Sequence, residues 1–199
     1  MSPEMRRELL RKLFHFLSLL YLGAYLLLGR DKALIALGAW IVLEAAIEAL
    51  RLNQPAVNGF LMRVFGGIHR ESEASKVSGV LWTSLGAWLT IAFFGARPAV
   101  VSAALFCLAF GDTAAALVGR SLGRVQIGLF GRKKTLEGSL ACLAACALAG
   151  WVCGFRGPAL WLAAFAATAV ELLPVPLDDN LWLPVLPGAV YFWLGGVLL

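Results

Sequence analysis

Apolar residues run along this chain in long unbroken stretches, separated by short polar segments. Seven stretches have the apolarity of a membrane-spanning helix: 13–29, 33–50, 77–95, 98–119, 139–155, 158–173 and 181–199. Several fall short of the roughly 20 residues a span needs, which implies little tilt or local bilayer thinning. No stretch alternates apolar and polar residues with a period of two, so membrane strands are not expected. The segment from Pro55 to His69 is only mildly apolar and holds Asn58, Arg63 and Gly66-Gly67, and it reads as an interfacial or re-entrant element. The pattern predicts an all-α polytopic membrane bundle of about seven transmembrane helices, one integral-membrane domain over residues 1–199.

Composition strengthens this picture. The chain is 60% hydrophobic and 15% charged, against about 25% charged in an ordinary soluble domain. Arg6, Arg7, Arg11 and Lys12 precede the first apolar run, as in a secretory signal. No small-residue cleavage pattern follows Leu28 and further spans come at once, so a retained first helix is expected. The four cysteines, Cys107, Cys142, Cys146 and Cys153, all lie inside apolar runs, where Cys behaves as a small hydrophobe. Cys142 and Cys146 share a helix face but have neither a nearby His nor a CxxC partner.

Charge sets an orientation. Of the 17 Lys and Arg, all but Arg30, Lys32, Arg97 and Arg156 fall on one side of the predicted spans. The positive-inside rule then places the amino terminus in the cytoplasm and, with seven spans, the carboxyl terminus outside. The formal net charge of +5 calls for no nucleic acid; it reflects this asymmetry and an anionic ligand. Of the twelve acidic residues, Asp31 lies outside, Glu44 lies inside the second span, and the rest fall on or near the cytoplasmic side. A transporter more often places ionisable groups at the midplane between repeat halves. Acids and bases gathered at one interface better suit a charged soluble substrate meeting a lipid.

The most informative stretch is Phe110-Gly111-Asp112-Thr113-Ala114-Ala115, continuing through a basic loop to Lys134-Thr135-Leu136-Glu137-Gly138-Ser139. Burying an aspartate at a bilayer centre costs about 3 kcal/mol on insertion scales, so Asp112 demands a purpose or a partner. The plainer alternative is a polar helix-packing contact. After the loop, Lys134, Thr135, Gly138 and Ser139 stand where a helix should begin, and a helix start offers free N–H groups and a positive dipole end to phosphate. Asp178-Asp179-Asn180 supplies hard oxygen ligands of the kind Mg²⁺ takes when it bridges phosphates. The same three residues are also ordinary turn and N-cap composition. Glu8, Arg11, Lys12 and His15 share a helix face, so His15 is either an interfacial hydrogen-bonding group or part of the site. Glu48 with Arg51 and Arg70 with Glu73 are further acid–base pairs at helix ends, and Glu44, on the face of Glu48, is neutral or paired within the bundle. GxxxxGK[ST] and HExxH are both absent, and only two histidines exist, which excludes a P-loop and a histidine-rich metal site.

These motifs resemble, in order from Glu8 to Pro184, the CTP-dependent polyisoprenoid and lipid kinases: dolichol, phytol and farnesol kinases and the yeast-type diacylglycerol kinase. The likeness is carried by Glu8-x-x-Arg11-Lys12-x-x-His15, Arg70-x-x-Glu73 followed by Gly79, Gly111-Asp112-Thr113, Lys134-Thr135-x-Glu137-Gly138-Ser139, and Asp178-Asp179-Asn180 with Pro184. The resemblance implies transfer of the γ-phosphoryl group of CTP to the hydroxyl of a membrane lipid alcohol: a polyprenol, phytol or similar isoprenoid, or diacylglycerol. Phosphatidate cytidylyltransferase is a more distant likeness and the alternative reaction, but its carboxyl-terminal signature around His-Gly-Gly and Asp-Arg-x-Asp is missing. A small transporter is a weaker alternative still. The chain lacks the extra amino-terminal spans of eukaryotic dolichol kinases, so a compact prokaryotic member of the cytoplasmic membrane is expected. Asp112 with Asp178 or Asp179 would hold Mg²⁺ on the CTP phosphates, and Lys134 with Thr135–Ser139 would bind those phosphates. Arg11 and Lys12 would add positive charge, and Glu73, Gly111, Thr113 and Asn180 would complete the nucleotide site. Asp112, Glu137 or His15 would orient or deprotonate the lipid hydroxyl. The partners implied are CTP, the lipid alcohol and the bilayer; homo-oligomerisation stays open.

Overall fold

The structure is a computed structural model that describes residues 12, 15–65, 75–127 and 134–195. Among these residues eight helices follow one another: α1 (Ser18–Leu28), α2 (Arg30–Asn53), α3 (Pro55–Phe65), α4 (Gly79–Phe94), α5 (Pro98–Ser121), α6 (Leu136–Val152), α7 (Gly157–Leu172) and α8 (Asp179–Leu194). Each of the seven apolar stretches overlaps one helix, and α3 occupies the segment read as interfacial; residues 13–14, 66–69 and 196–199 of these segments lie outside the described residues. One feature departs from an all-helical reading: Gln126–Ile127 (β1) and Lys134–Thr135 (β2) form a short antiparallel pair in the loop between α5 and α6.

Local chemistry explains the helix ends. Gly29 takes φ +79°, closing α1 and opening α2 in a single residue, a conformation that L side chains adopt only with strain. Pro98 stands in the first turn of α5, where its missing N–H costs nothing. At the opposite end of the bundle from Lys12, Arg side chains close the carbonyl ends of three helices. Arg30 donates to Ala92 O (2.7 Å), Arg97 to Phe192 O (2.8 Å) and Arg156 to Trp151 O (2.6 Å).

The helices pack in sequence neighbours (α1 on α2, α5 on α6, α6 on α7, α7 on α8), with α4 joining α2 to α8. Helix α5 is the central post, its apolar stretch 61% buried, whereas that of α2 is only 22% buried and stands at the edge. Leu105, Leu108, Ile91, Val101, Leu183 and Tyr191 fill the interior. The outward faces carry Leu27, Ile35, Val42, Phe93, Leu148 and Trp193, an apolar exterior suited to lipid. Arg30–Asn53 and Pro98–Ser121 are each long and apolar enough to cross a membrane, and α1, α4, α6 and α7 are shorter apolar helices. The bundle is that of a helical membrane protein.

Candidate active site

Asp112 sits at a break in its own helix. Residues Cys107–Gly111 form a π turn, and Asp112 is the first residue after it. A π turn leaves one residue too many in the ladder, loosening the backbone and rotating the next helical turn. Small residues let α6 approach here: a β-carbon at Gly111 would stand 2.5 Å from Cys146 Sγ, and one at Gly138 would stand 2.7 Å from the Ala115 carbonyl. Thr113 hydroxyl donates back to Ala109 O (2.6 Å), bracing the turn.

A lysine and a histidine meet the Asp112 carboxylate. Lys12 Nζ donates to Oδ2, and His15 Nδ1 lies 3.3 Å from the same oxygen. The Lys12 side chain is only 3% exposed and that of Asp112 14%. An ion pair this deep is strongly coupled, because removing one partner strands the other charge in a low dielectric, at about 3–5 kcal/mol. Both contacts fall on Oδ2, and Oδ1 takes no hydrogen bond among the described residues. Lys134 is the next positive charge in range of this carboxylate, and its own Nζ donates to Glu171 Oε1 at the end of α7.

The loop leading to α6 is held from within. Thr135 is the N-cap, its hydroxyl accepting from Gly138 N (3.2 Å). Glu137 reaches back to accept from the amides of Arg124 (3.0 Å) and Val125 (3.2 Å). Its own backbone N–H and that of Arg124 hold the Glu137 carboxyl below its ordinary value. Helix α6 begins at Leu136, within the segment where a helix start is expected and three residues ahead of the apolar stretch, which brings Glu137, Gly138 and Ser139 into its first turn. Ser139 lies between the Gly138–Ala115 and Cys142–Gly111 contacts, which bracket Asp112 across the α5–α6 seam. Its hydroxyl is buried and takes no hydrogen bond among the described residues.

Helix α8 likewise starts early, at Asp179. Asp178 is its N-cap, with Oδ1 accepting from Asn180 N (2.9 Å). Asn180 is buried, and its backbone passes so close to α4 that a β-carbon at Gly86 would stand 2.8 Å from its carbonyl. The start of α8 therefore lies against the middle of α4, and the helix also packs on the π turn.

The structure thus brings Lys12, His15, Asp112 and Lys134 together, with Gly111, Thr113, Thr135, Gly138 and Ser139 forming the seam behind them. Glu137 serves the loop, and Asp178 serves the start of α8. Arg11 and Glu73 lie outside the described residues, as do Glu8, Arg70 and Lys133. Sequence reasoning missed two features. Glu171, the partner of Lys134, carried the same signal as Asp112, a lone carboxylate in an apolar stretch. The π turn has no signature in the run Cys107-Leu-Ala-Phe-Gly111, because it arises from packing.

The donor set suits a hard cation. Among the described residues no group of three or more His, Cys, Asp and Glu is placed to hold a metal by itself. Magnesium in phosphoryl-transfer sites needs no such cage, only one or two carboxylates together with phosphate oxygens and waters. Asp112 Oδ1 meets that description.

Known proteins are similar to this chain in sequence. The CTP-dependent diacylglycerol kinase 1 of Saccharomyces cerevisiae is 32% identical over 150 residues, 74% of this chain and 50% of that protein. The Schizosaccharomyces pombe protein of the same name is 31% identical over 162 residues, 73% of each chain. Dolichol kinase EVAN of Arabidopsis thaliana is 31% identical over 146 residues, 70% of this chain and 25% of that one. The chain thus spans about half the length of the budding-yeast protein and about a quarter of the plant one. No family model matches the chain, and no solved structure does. With nearly three quarters of the fission-yeast protein aligned at this identity, the chain belongs to the family of CTP-dependent lipid kinases.

Proposed function

We propose that this protein transfers the γ-phosphoryl group of CTP to the hydroxyl of a membrane lipid alcohol, a diacylglycerol or a dolichol-like polyprenol. The carrying observation is the gathering of Lys12, His15 and Lys134 around Asp112 at one end of an apolar bundle. Phosphoryl transfer asks a protein mainly to position the reactants and to neutralise charge. Lys12 and Lys134 meet the triphosphate, and the start of α6 at Thr135–Ser139 gives it amide N–H groups and the buried Ser139 hydroxyl. Arg11 adds a further charge. The lipid oxygen bonds to the γ-phosphorus, the bridging bond to CDP breaks, and the hydroxyl proton passes to the His15–Asp112 pair. Asp112, with Asp178 or Asp179, would hold Mg²⁺, which would neutralise charge on the phosphates. Glu137 acts on the reaction by holding the 122–127 loop in place.

The same reading makes the chain a single domain of seven spans with its amino terminus, and the site, on the cytoplasmic side. It is supported by the basic bias of that end and by the use of Arg30, Arg97 and Arg156 as helix caps at the other. A transfer assay with γ-labelled and α-labelled CTP, on vesicles containing diolein, dodecaprenol and dioleoyl phosphatidate, tests the reaction. Label reaching lipid only from the γ position is the expected result. Label arriving only from the α position means a cytidylyltransferase and overturns the kinase.

A further inference from the structure

Glu171 is a carboxylate that the reaction above leaves unused. It stands at the end of α7, after a run (163–170) of Ala, Phe, Thr and Val. It is 4% exposed, and a carboxylate buried in an apolar bundle needs both a partner and a purpose. Lys134 Nζ donates to its Oε1. The backbone of Lys134 is set independently of this bond. It pairs with Ile127 between β1 and β2. The next residue, Thr135, is cradled by glycines: β-carbons at Gly119, Gly123 and Gly138 would stand 2.9, 2.6 and 3.0 Å from its side chain. The flexible stem of Lys134 still leaves the ammonium room to turn.

Two carboxylates compete for that ammonium. Glu171 holds it, and the Lys134 charge also acts on Asp112. Helix α7 packs both on α6 and on the π turn before Asp112, so Glu171 backs the same region of the bundle. Charge alone gives no reason for a carboxylate here. A negative group beside Lys134 repels a triphosphate, and a site that only gathered positive charge would bind CTP better with a neutral residue at position 171. Geometry does give a reason. A lysine has three N–H donors, and among the described residues Lys134 gives one, to Glu171. The pair therefore aims the ammonium without exhausting it. With Glu171 absent, the attraction left to Lys134 is Asp112, and an ammonium drawn there approaches the carboxylate oxygen that Lys12 and His15 leave open.

We infer that Glu171 is a positioning residue for phosphoryl transfer: it holds the Lys134 ammonium apart from Asp112, with two N–H groups left for the phosphates of the nucleotide. The inference rests on the lipid-kinase reading above and adds a residue to it. Glu171 touches neither reactant; it acts through Lys134. Its contribution is orientation, which governs how well a charged donor meets a phosphate that arrives in one place only.

The test uses the full chain in phosphatidylcholine nanodiscs, as wild type, Glu171→Gln and Glu171→Asp, each checked for a cooperative melt. Glutamine keeps the shape and an accepting oxygen but removes the charge, whereas aspartate keeps the charge on a shorter stem. Equilibrium binding of α-labelled CTP with Mg²⁺, with no lipid acceptor present, reads the nucleotide site apart from chemistry. Glu171→Gln should weaken CTP binding roughly 10- to 100-fold, the worth of one hydrogen bond to a charged group. Glu171→Asp should recover part of that loss. In turnover, KM for CTP should rise in Glu171→Gln while KM for the lipid alcohol stays unchanged, a split that a mere packing role does not produce. Tighter CTP binding by Glu171→Gln overturns the inference, because that is the result of repulsion alone. Unchanged CTP binding in a folded Glu171→Gln protein overturns it too, as does an equal rise in both KM values. Absence of γ-label transfer by wild type with the CTP-binding pattern intact would overturn the kinase reading alone.

Discussion

At the scale of single residues, the proposed function turns on Asp112 and the groups around it. Replacing it by Asn keeps the shape and a carbonyl for Lys12 but removes the negative charge. The expected outcome is a loss in kcat on the order of 10²–10³, the size seen when one catalytic proton or charge partner goes. Steady-state assay of protein that still melts cooperatively checks this, and full retained activity would show that Asp112 is only a packing contact. Lys12→Met should be harsher on stability than an exposed lysine change, by about 3–5 kcal/mol, since it leaves the aspartate charge buried alone. Glu137 predicts a pH effect of definite sign. Its carboxyl titrates below the ordinary 4.5, so its grip on the Arg124 and Val125 amides is fully present above that value and fades as acid titrates the folded form. Amide exchange at Arg124 and Val125 should therefore stay slow at neutral pH and, in Glu137→Gln, quicken at every pH. Of these residues, Asp112 was legible from sequence because an isolated charge in an apolar run is conspicuous. The bond that Glu137 makes was not, because its partners are backbone groups that carry no residue identity.

At the scale of elements, the helix boundaries carry the functional geometry. α6 and α8 both start earlier than hydropathy indicates, since a capped first turn is polar and reads as loop. Ahead of the Asp178 cap, Leu177 takes φ +69°, the left-handed region, and is 69% exposed. Asn tolerates that conformation far better than Leu. Leu177→Asn should therefore raise stability by about 1 kcal/mol, read as a higher melting temperature in detergent, with no contact altered. Close approach of elements makes the opposite prediction at Gly86. A side chain there meets the Asn180 and Leu181 backbone at 2.8–2.9 Å, and backbone cannot step aside as a flexible side chain can. Gly86→Val should cost about 1–3 kcal/mol through overpacking and displace the start of α8, a loss visible in the melt. The π turn before Asp112 belongs to this scale too: it results from how α5 seats against α6 and α8, and nothing in its own five residues announces it.

At the scale of the whole molecule, the bundle is apolar at its exterior, with capping arginines at one end and the Lys12–Asp112 and Lys134–Glu171 ion pairs at the other. Binding of a nucleotide there should raise apparent stability, by about 2.7 kcal/mol at a ligand concentration of one hundred times Kd. CTP with Mg²⁺ should shift the melt of wild type and fail to shift Lys134→Met, which lacks the charge proposed to meet the phosphates. The family relationship and the amino-acid order already contained the helical class, the seven apolar stretches, the polarity between the two ends and the identity of the central motifs. These are properties of composition and spacing, which a linear chain displays in full. Burial, pairing and depth were decided only by tertiary structure. The sequence counts Arg30, Arg97 and Arg156 as exceptions to a charge bias; folded, they close helix ends contributed by other segments. It shows Glu44 and Glu48 as one pair on a shared face; folded, Glu48 is satisfied by Arg51 and Ser78, whereas Glu44 faces Ser84 and Trp40. The physical reason is common to both: a polar group's energy depends on which partner stands within hydrogen-bond distance, and in a bundle that partner comes from another helix.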